Sequence, residues 1–203
     1  MDQWFINIDH EGFRQTALAV INEVNWVPDW GKARIQGAVE SRPDWCISRQ
    51  RTWGVPIPAF YNADGEPLLD ARIVRKTADL IEQHGSNIWF EHDTDKLWAN
   101  VCPDDWTGDA PTKKSTDTLD VWIDSGSSSR AVLMQREELQ RPDKEGNENW
   151  QADVYLEGSD QHRGWFQSSL LLSLAGNGAP PYKTVLTHGF MVDADRAKIA
   201  KSN

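Results

Sequence analysis

The sequence has few of the features that are typical of a secreted protein, a membrane protein or a protein stabilised by a structural metal ion. It contains only two cysteines, Cys46 and Cys102, and no C-x-x-C pair. Neither a disulfide framework nor a four-ligand zinc site is therefore predicted. No apolar run approaches the roughly 18 residues that cross a bilayer, and a basic-then-apolar signal pattern is absent from the amino terminus. We expect a cytoplasmic protein with no membrane association and no zinc in this segment.

Positive charge is also scarce, with 21 lysines and arginines against 31 acidic residues and a net charge of −10. A surface with this excess of negative charge is not expected to bind nucleic acid over its whole area, so an RNA partner would need local basic patches. Tryptophan, in contrast, is abundant, with 11 among the 203 residues. Large aromatic side chains build cores or ligand pockets, and this length suffices for one sizeable core with a small insertion.

The most informative stretch joins a predicted strand to a predicted helix. Residues 152–156 have the pattern of a short buried strand, and residues 165–172 have helical spacing with a stop offered by Gly176. Between them lie two carboxylates, an amide and an imidazole: Glu157, Asp160, Gln161 and His162. In open α/β sheets ligands bind at such corners, and this set suits an ammonium group and hydroxyls. The alternative is an ordinary helix start capped by Ser159 or Asp160.

A family resemblance enters with this same stretch. Residues 155–166, YLEGSDQHRGWF, resemble the signature of class I isoleucine–tRNA ligases. Three further stretches agree with that family in order: residues 42–54, residues 120–126, and residues 187–190 running into 198–202. The opening residues 3–5 fit the point where the family's chain leaves its editing insertion. The resemblance covers nearly the whole chain and is densest in these four blocks.

The resemblance implies an α/β protein with a partial Rossmann-like, class I synthetase nucleotide-binding fold. Residues 1–53 and 119–203 would form the second half of the catalytic core, and residues 54–118 a small α+β insertion. In the insertion, residues 62–65 predict a hairpin turn and residues 73–84 a helix. The insertion as a whole is expected to have weak internal regularity, with a turn-rich, acidic segment over 91–114. The rest of the pattern predicts a strand and turn over 119–126, a helix over 130–139, a surface connection over 141–149 and a strand over 183–186.

The reaction implied by the resemblance is the activation of L-isoleucine by ATP, with Mg²⁺, followed by transfer to tRNA(Ile). Such chemistry needs positioning and charge neutralisation rather than a protein nucleophile. Lys198 and Lys201 match the two lysines of the family's KMSKS loop, and Lys201 and His188 would bind ATP. Ile199 and Ala200 depart from the motif's methionine and serine, and the lost hydroxyl puts fine positioning in doubt.

The same resemblance assigns Glu157 and Gln161 to the adenylate and the amino group of isoleucine, with Asp160 in support. Trp122 and Trp165 match two indoles that line the isoleucine side-chain pocket. Judged from residue type alone, each tryptophan equally fits a packed core. Other residues stay open between two roles: Arg49 and Arg51 between phosphate contact and ion pairs, and His162 and His188 between structure and site.

One signature of the family is missing. No His-x-Gly-His tetrapeptide occurs in the sequence, and the editing and tRNA-binding regions have no counterpart. We therefore predict part of an isoleucine–tRNA ligase, inactive or nearly so in isolation, with a complementary N-terminal half as a possible partner. The alternatives are a valine or leucine ligase fragment, and a non-catalytic module that binds an amino acid, a nucleotide or a protein. Residues 48–54 and 124–126 favour isoleucine.

Overall fold

The computed structural model describes residues 2–140 and 150–199 of the chain. The helices there are α1 (Phe13–Ile21), α2 (Trp30–Glu40), α3 (Ala71–His84), α4 (Ile88–Glu91), α5 (Thr94–Val101), α6 (Val121–Gly126) and α7 (Trp165–Asn177). The strands are β1 (Phe5–Ile6), β2 (Asn25–Val27), β3 (Trp45–Cys46), β4 (Ser48–Arg49), β5 (Phe60–Tyr61), β6 (Pro67–Leu68), β7 (Lys113–Lys114), β8 (Thr118–Leu119), β9 (Ala152–Gly158) and β10 (Tyr182–His188). None of the helices in these two ranges is long and apolar enough to span a membrane.

The described residues divide into two compact units. Residues 5–46 and 121–199 form what we call the parallel-sheet unit, and residues 2–4 and 47–120 form the antiparallel-sheet unit. These two units are defined by compactness, whereas the insertion predicted over residues 54–118 is defined by the domain layout of the family. The insertion therefore stays a prediction.

A three-stranded parallel sheet is the centre of the parallel-sheet unit, with β10 lying between β2 and β9. Trp26, Val185 and Tyr155 lie side by side on one face of the sheet, and all three are buried. The opposite row, formed by Val27, Leu186 and Leu156, is partly exposed. The predicted strands over 152–156 and 183–186 are confirmed, and both extend further.

Helix α7 is buried on almost every side, because its sequence is apolar or small all round. Its buried residues are Phe166, Gln167, Ser168, Ser169, Leu170, Leu171, Ser173 and Leu174. The predicted helix is therefore confirmed, but Gly176 does not end it. The helix continues to Asn177, and Gly178 ends it in the left-handed conformation with φ 73°.

Helix α6 occupies the segment for which a strand and turn are predicted, so that prediction is wrong beyond Leu119. Gly126 explains the close packing of α6 on α7. A Cβ atom at Gly126 would lie 2.7 Å from the Leu172 Cδ1 atom and 2.9 Å from the Ser168 backbone. A short apolar run such as residues 121–123 is ambiguous between strand and helix, and tertiary packing decides it. The helix predicted over 130–139 is replaced by a π turn, Ser129–Leu133, and a 3-10 turn, Glu137–Leu139.

The antiparallel-sheet unit contains the sheet β6-β5-β7, in which Phe60 is paired with Leu68 on one side and Lys114 on the other. The hairpin predicted at residues 62–65 is confirmed, with Gly65 at φ 83°. Helix α3 is confirmed as well, ending at Gly85 with φ 81°. An aromatic and aliphatic core fills this unit: Phe60, Ile73, Trp89, Leu97 and Val101.

Helix α5 lies within residues 91–114, the segment for which the sequence predicts turns. Asp93 starts this helix, because its side chain accepts a hydrogen bond from the Lys96 backbone N–H at 2.9 Å. The apolar residues Leu97 and Val101 then lie four positions apart and face the core. A segment of acidic, turn-rich composition thus contains a capped amphipathic helix. The surface connection predicted over 141–149 lies outside the described residues.

Candidate functional site

The carboxyl ends of β9 and β10 bring Glu157 and His188 together. The strands are parallel, with Glu157 opposite Thr187 and Gly158 opposite His188, so both chains leave the sheet at one edge. The His188 Nε2 atom lies 3.9 Å from the Glu157 Oε2 atom, and both side chains are about half exposed, at 51% and 52%. This edge therefore offers a carboxylate and an imidazole that a ligand can reach.

A 3-10 turn, Ser159–Arg163, continues directly from β9 and leads into α7. Burial increases along three successive residues of this turn: Asp160 is exposed, Gln161 is half-buried and His162 is completely buried. The Gln161 amide nitrogen donates to Asp160 Oδ2 at 3.3 Å, and its amide oxygen accepts from the Trp165 backbone N–H at 2.9 Å. Gln161 thus links the acid of the turn to the first residue of the helix.

The cap of α7 differs from the sequence prediction. Neither Ser159 nor Asp160 caps this helix; the position before it is Gly164, which has no side chain. The amide oxygen of Gln161 takes over the capping role from four residues upstream. Such a bond depends on the shape of the intervening turn, which no local sequence rule describes.

The two predicted pocket tryptophans, one on α6 and one at the start of α7, lie close to Gly164. A Cβ atom at Gly164 would lie 2.8 Å from Cη2 of the Trp122 indole and 2.6 Å from the amide oxygen of Gln161. Trp165 follows Gly164 directly in the chain, and Trp122 projects from α6 with 39% of its surface exposed. The structure therefore brings Trp122, Gln161 and Trp165 around one glycine, beside the end of β9.

The orientation of the Trp165 indole is set by three contacts that the sequence does not reveal. Its ring stacks on Tyr155 with centroids 4.0 Å apart and planes 8° from parallel. Its Nε1–H donates to the Ser125 carbonyl at 2.9 Å and lies 3.3 Å from the Ser128 hydroxyl. Burial raises the pKa of the Tyr155 hydroxyl, so this ring stays neutral across the physiological range.

Lys198 approaches the same corner through an aromatic ring. Its ammonium group lies 3.7 Å from the centre of the Phe190 ring, and Phe190 in turn packs near Gly158 at the end of β9. The sequence does not single out Phe190 as a candidate site residue, although it belongs to the 187–190 block. Lys201, the second predicted lysine, lies outside the described residues, as do Ala200 and Ser202.

Arg49 belongs to the antiparallel-sheet unit, where it forms an ion pair. Its Nη2 atom lies 3.0 Å from Oδ2 of Asp120, whose side chain is 6% exposed. This contact favours the ion-pair interpretation of Arg49 over the phosphate interpretation, because a buried carboxylate needs a cation nearby. Arg51 is exposed. In residues 2–140 and 150–199, no group of three or more His, Cys, Asp or Glu side chains is arranged to hold a metal ion.

Comparison with known proteins identifies the family. The family model described as tRNA synthetases class I (I, L, M and V) matches residues 1–203, so the chain belongs to the class I tRNA synthetases of this group. Among curated proteins, it is similar to the isoleucine–tRNA ligases of Methylacidiphilum infernorum, at 54% identity over 99% of this chain, and of Syntrophotalea carbinolica, at 52% over 99%. The chain spans about a fifth of their length, 20% and 21%.

A solved structure was matched as well. It is the ternary complex of Agrobacterium radiobacter K84 LeuRS with tRNA and LeuAMS, at 24% identity and a TM-score of 0.47. The match covers 79% of this chain and 21% of that one. The mixed α/β architecture with a parallel sheet is seen directly in the present structure.

Proposed function

We propose that this chain is part of an isoleucine–tRNA ligase, which activates L-isoleucine with ATP to isoleucyl-adenylate and transfers it to tRNA(Ile). One observation carries the proposal: Trp122, Gln161 and Trp165 meet around Gly164 at the edge where Glu157 leaves the sheet. The similarity to isoleucine–tRNA ligases over 99% of the chain supports isoleucine as the amino acid.

In this proposal the acidic turn receives the amino group of the substrate. Glu157 and Asp160 are exposed carboxylates, and an ammonium group donates three hydrogen bonds to such acceptors. The amide oxygen of Gln161 has a second lone pair beyond the one that caps α7. The α-ammonium group of isoleucine would thereby be fixed at the carboxyl end of β9, next to the nucleotide.

The two indoles would line the slot for the isoleucine side chain. Tyr155 stacks on one face of Trp165 and restrains that ring, and in this proposal the substrate side chain would contact the other face. Rigid aromatic walls exclude side chains larger than isoleucine by steric overlap. They discriminate poorly against valine, because one missing methylene is worth only about 1–3 kcal/mol.

The nucleotide would lie across the ends of β9 and β10. The isoleucine carboxylate attacks the α-phosphorus of ATP, a phosphorus–oxygen bond forms, and pyrophosphate leaves with the electron pair of the broken bond. His188 would contact the nucleotide, and Lys198 and Lys201 would neutralise charge on the departing phosphates. Mg²⁺ enters bound to the ATP phosphates, as part of the substrate.

The proposed architecture is the second half of a Rossmann-like catalytic core, with residues 54–118 as an insertion and the cytoplasm as its compartment. A polypeptide that carries the His-x-Gly-His signature would complete the site, either in the same chain or as a separate partner. The 203-residue chain by itself should then show little or no ligase activity, since half of the nucleotide site would be missing.

The test is a chimaera in which residues 1–203 replace the matching fifth of the Methylacidiphilum infernorum ligase. We expect isoleucine-dependent exchange of pyrophosphate into ATP by the chimaera, and none by the 203-residue chain. The control is the same chimaera with Glu157→Gln, which keeps the shape but removes the charge that holds the ammonium group. An inactive chimaera that folds with the stability of the parent enzyme would refute the proposal.

The identity of the amino acid is tested separately. Non-hydrolysable analogues of isoleucyl-, valyl- and leucyl-adenylate are added to the chimaera, and the rise in melting temperature is measured for each. A ligand that binds only the folded state raises the melting temperature in proportion to its affinity. We expect the isoleucyl analogue to give the largest shift. A larger shift with valyl or leucyl analogue would assign the chain to one of those ligases, and equal small shifts would indicate a non-catalytic module.

A further inference from the structure

His162 is buried completely although its neighbours in the same turn face solvent. Its exposed fraction is 0%, whereas Asp160, two positions earlier, is exposed. An imidazole rarely lies fully inside a protein without a specific contact to compensate for lost hydration. The burial therefore calls for a role within the turn.

Aromatic rings from three elements enclose the His162 ring. Trp26 of β2 and Trp30 of α2 lie at centroid distances of 6.0 Å and 5.7 Å, and Phe166 of α7 meets it edge-on at 5.3 Å. Such contacts fix both the depth and the plane of the imidazole. His162 thus anchors the turn to the sheet and to two helices.

One hydrogen bond ties His162 back to the start of the turn. Its Nδ1 atom lies 2.9 Å from the Ser159 carbonyl oxygen. A carbonyl only accepts, so Nδ1 carries the proton and donates. The bond closes a ring that contains Asp160 and Gln161, and it leaves those two side chains on the outside of the turn, toward the site.

Gly31 of α2 sets how deep the imidazole can lie. A Cβ atom at Gly31 would lie 3.0 Å from His162 Nε2 and 3.8 Å from the Thr187 hydroxyl. Within the described part of the chain, neither of these buried polar atoms has a hydrogen-bond partner. Among the described residues, the ring is therefore held by the Nδ1 hydrogen bond and by packing.

We propose that His162 is a positioning residue, which holds Gln161 and Asp160 at the substrate-binding edge through its bond to Ser159 and its contact with Gly31. The expected effect of His162 on catalysis rests on the proposed function. Its effect on the position of Gln161 is independent of that function, because it can be measured through the hydrogen bond between Gln161 and the Trp165 backbone N–H.

The structural test is hydrogen exchange of the Trp165 amide, measured by NMR on the 203-residue chain. His162→Leu keeps the apolar bulk and loses the donor, and we expect Trp165 to exchange about five-fold faster, as for the loss of one capping bond. His162→Asn keeps a donor near the Nδ1 position and should restore slow exchange. Gly31→Ala, which alters no polar group, should also accelerate exchange. Equal rates in the wild type, His162→Leu and Gly31→Ala would overturn the proposal.

A control separates positioning from general destabilisation. Ile21→Val, at a fully buried position on α1, should lower stability without changing Trp165 exchange relative to other amides. If Ile21→Val accelerates Trp165 as much as His162→Leu does, the effect is merely structural and the proposal fails.

The functional test uses the chimaera. His162→Leu and Gly31→Ala should raise the KM for isoleucine about ten-fold and leave the KM for ATP close to the wild-type value, with partial recovery in His162→Asn. Equal changes in both KM values would overturn the proposal. An unsubstituted chimaera without activity would instead refute the proposed function, and the exchange test on the 203-residue chain would still decide the role of His162.

Discussion

The amide oxygen of Gln161 accepts a hydrogen bond from the Trp165 backbone N–H at 2.9 Å, across Gly164. The same amide group donates to Asp160 at 3.3 Å. A residue assigned to substrate binding therefore also starts the buried helix α7. Since one side chain serves both the fold and the site, substitutions at Gln161 will change stability and activity together, and the two effects need separate measurements.

Replacing Gln161 with alanine should remove the cap of α7. We expect Gln161→Ala to lower the free energy of unfolding by about 1 kcal/mol, the usual cost of losing a capping side chain. Gln161→Glu keeps an acceptor oxygen near the helix N-terminus and should cost less, although it adds a charge next to Asp160. Urea unfolding of the 203-residue chain measures both values.

A matched glutamine is available as a control for this prediction. Gln135 is exposed, and its side chain donates to the Arg130 carbonyl at 3.3 Å. Gln135→Ala should leave stability within about 0.5 kcal/mol of the wild type. Equal losses at positions 135 and 161 would mean that Gln161 is not a helix cap.

Gly164 is predicted to tolerate no side chain. In Gly164→Ala the new methyl group would meet the Gln161 amide oxygen at 2.6 Å and the Trp122 indole at 2.8 Å. We expect a loss of about 1–3 kcal/mol in the free energy of unfolding, as for overpacked cores. In the chimaera, the KM for isoleucine should also rise, because both displaced groups belong to the proposed amino-acid site.

The same substitution at Gly37 is the control, and it is expected to raise stability where Gly164→Ala lowers it. It lies inside helix α2, and a Cβ atom there meets nothing within 4 Å. Gly37→Ala should therefore stabilise the chain by up to about 1 kcal/mol through helix propensity. If both alanine variants change the free energy of unfolding in the same direction, the contacts around Gly164 do not determine the effect of substituting it.

Local patterns suffice to predict the elements that frame the site. Strand β9, helix α7 and strand β10 follow from apolar periodicity and from the glycine and proline residues around them. The polar residues between β9 and α7 then fall at the edge of the sheet by topology alone. The resemblance adds roles for Trp122 and Lys198, which no spacing would supply.

The remaining features depend on contacts between residues far apart in sequence. Gly126 lets α6 (residues 121–126) approach α7 closely, and the short apolar run 121–123 does not by itself distinguish a helix from a strand. The stacking of Tyr155 on Trp165 and the enclosure of His162 by Trp26 and Trp30 join separate elements of the fold. Propensity rules describe neighbours along the chain, so they do not reach such contacts.

The stability of the chain should depend on pH through His162. Burial is the main cause that lowers the pKa of this imidazole below its ordinary 6.5; the bond to Ser159 and the charge of Asp160 raise it, and Arg34 lowers it. The unfolded chain therefore takes up a proton near pH 6.5, while the folded chain does so only at lower pH. Stability is unaffected by this group above pH 6.5 and falls as the pH drops below that value, down to the folded-state pKa.

Urea unfolding at about pH 7.5 and about pH 5.5 tests this dependence. Carboxylates also contribute in that range, so the informative quantity is the difference between the wild type and His162→Asn. We expect the wild type to lose more stability than the variant between the two pH values. Ile21→Val, which changes a buried apolar residue and no titratable group, serves as the control and should keep the wild-type dependence. Parallel curves for the wild type and His162→Asn would contradict the prediction.

The contact between Lys198 and Phe190 predicts a graded loss of activity in the chimaera. Lys198→Ala removes a charge from the proposed phosphate site and should lower kcat about 100-fold or more. Phe190→Leu leaves the lysine but removes the ring beneath its ammonium group, a contact worth about 0.5–1 kcal/mol at exposed sites, so kcat should fall only a few-fold.

Lys183, exposed on β10 and 3.7 Å from Asp153, is the matched control, and Lys183→Ala should leave kcat unchanged. Full kcat in Lys198→Ala would remove this lysine from the phosphate site, and a Phe190→Leu loss as large as that of Lys198→Ala would give the aromatic ring a direct role in the reaction.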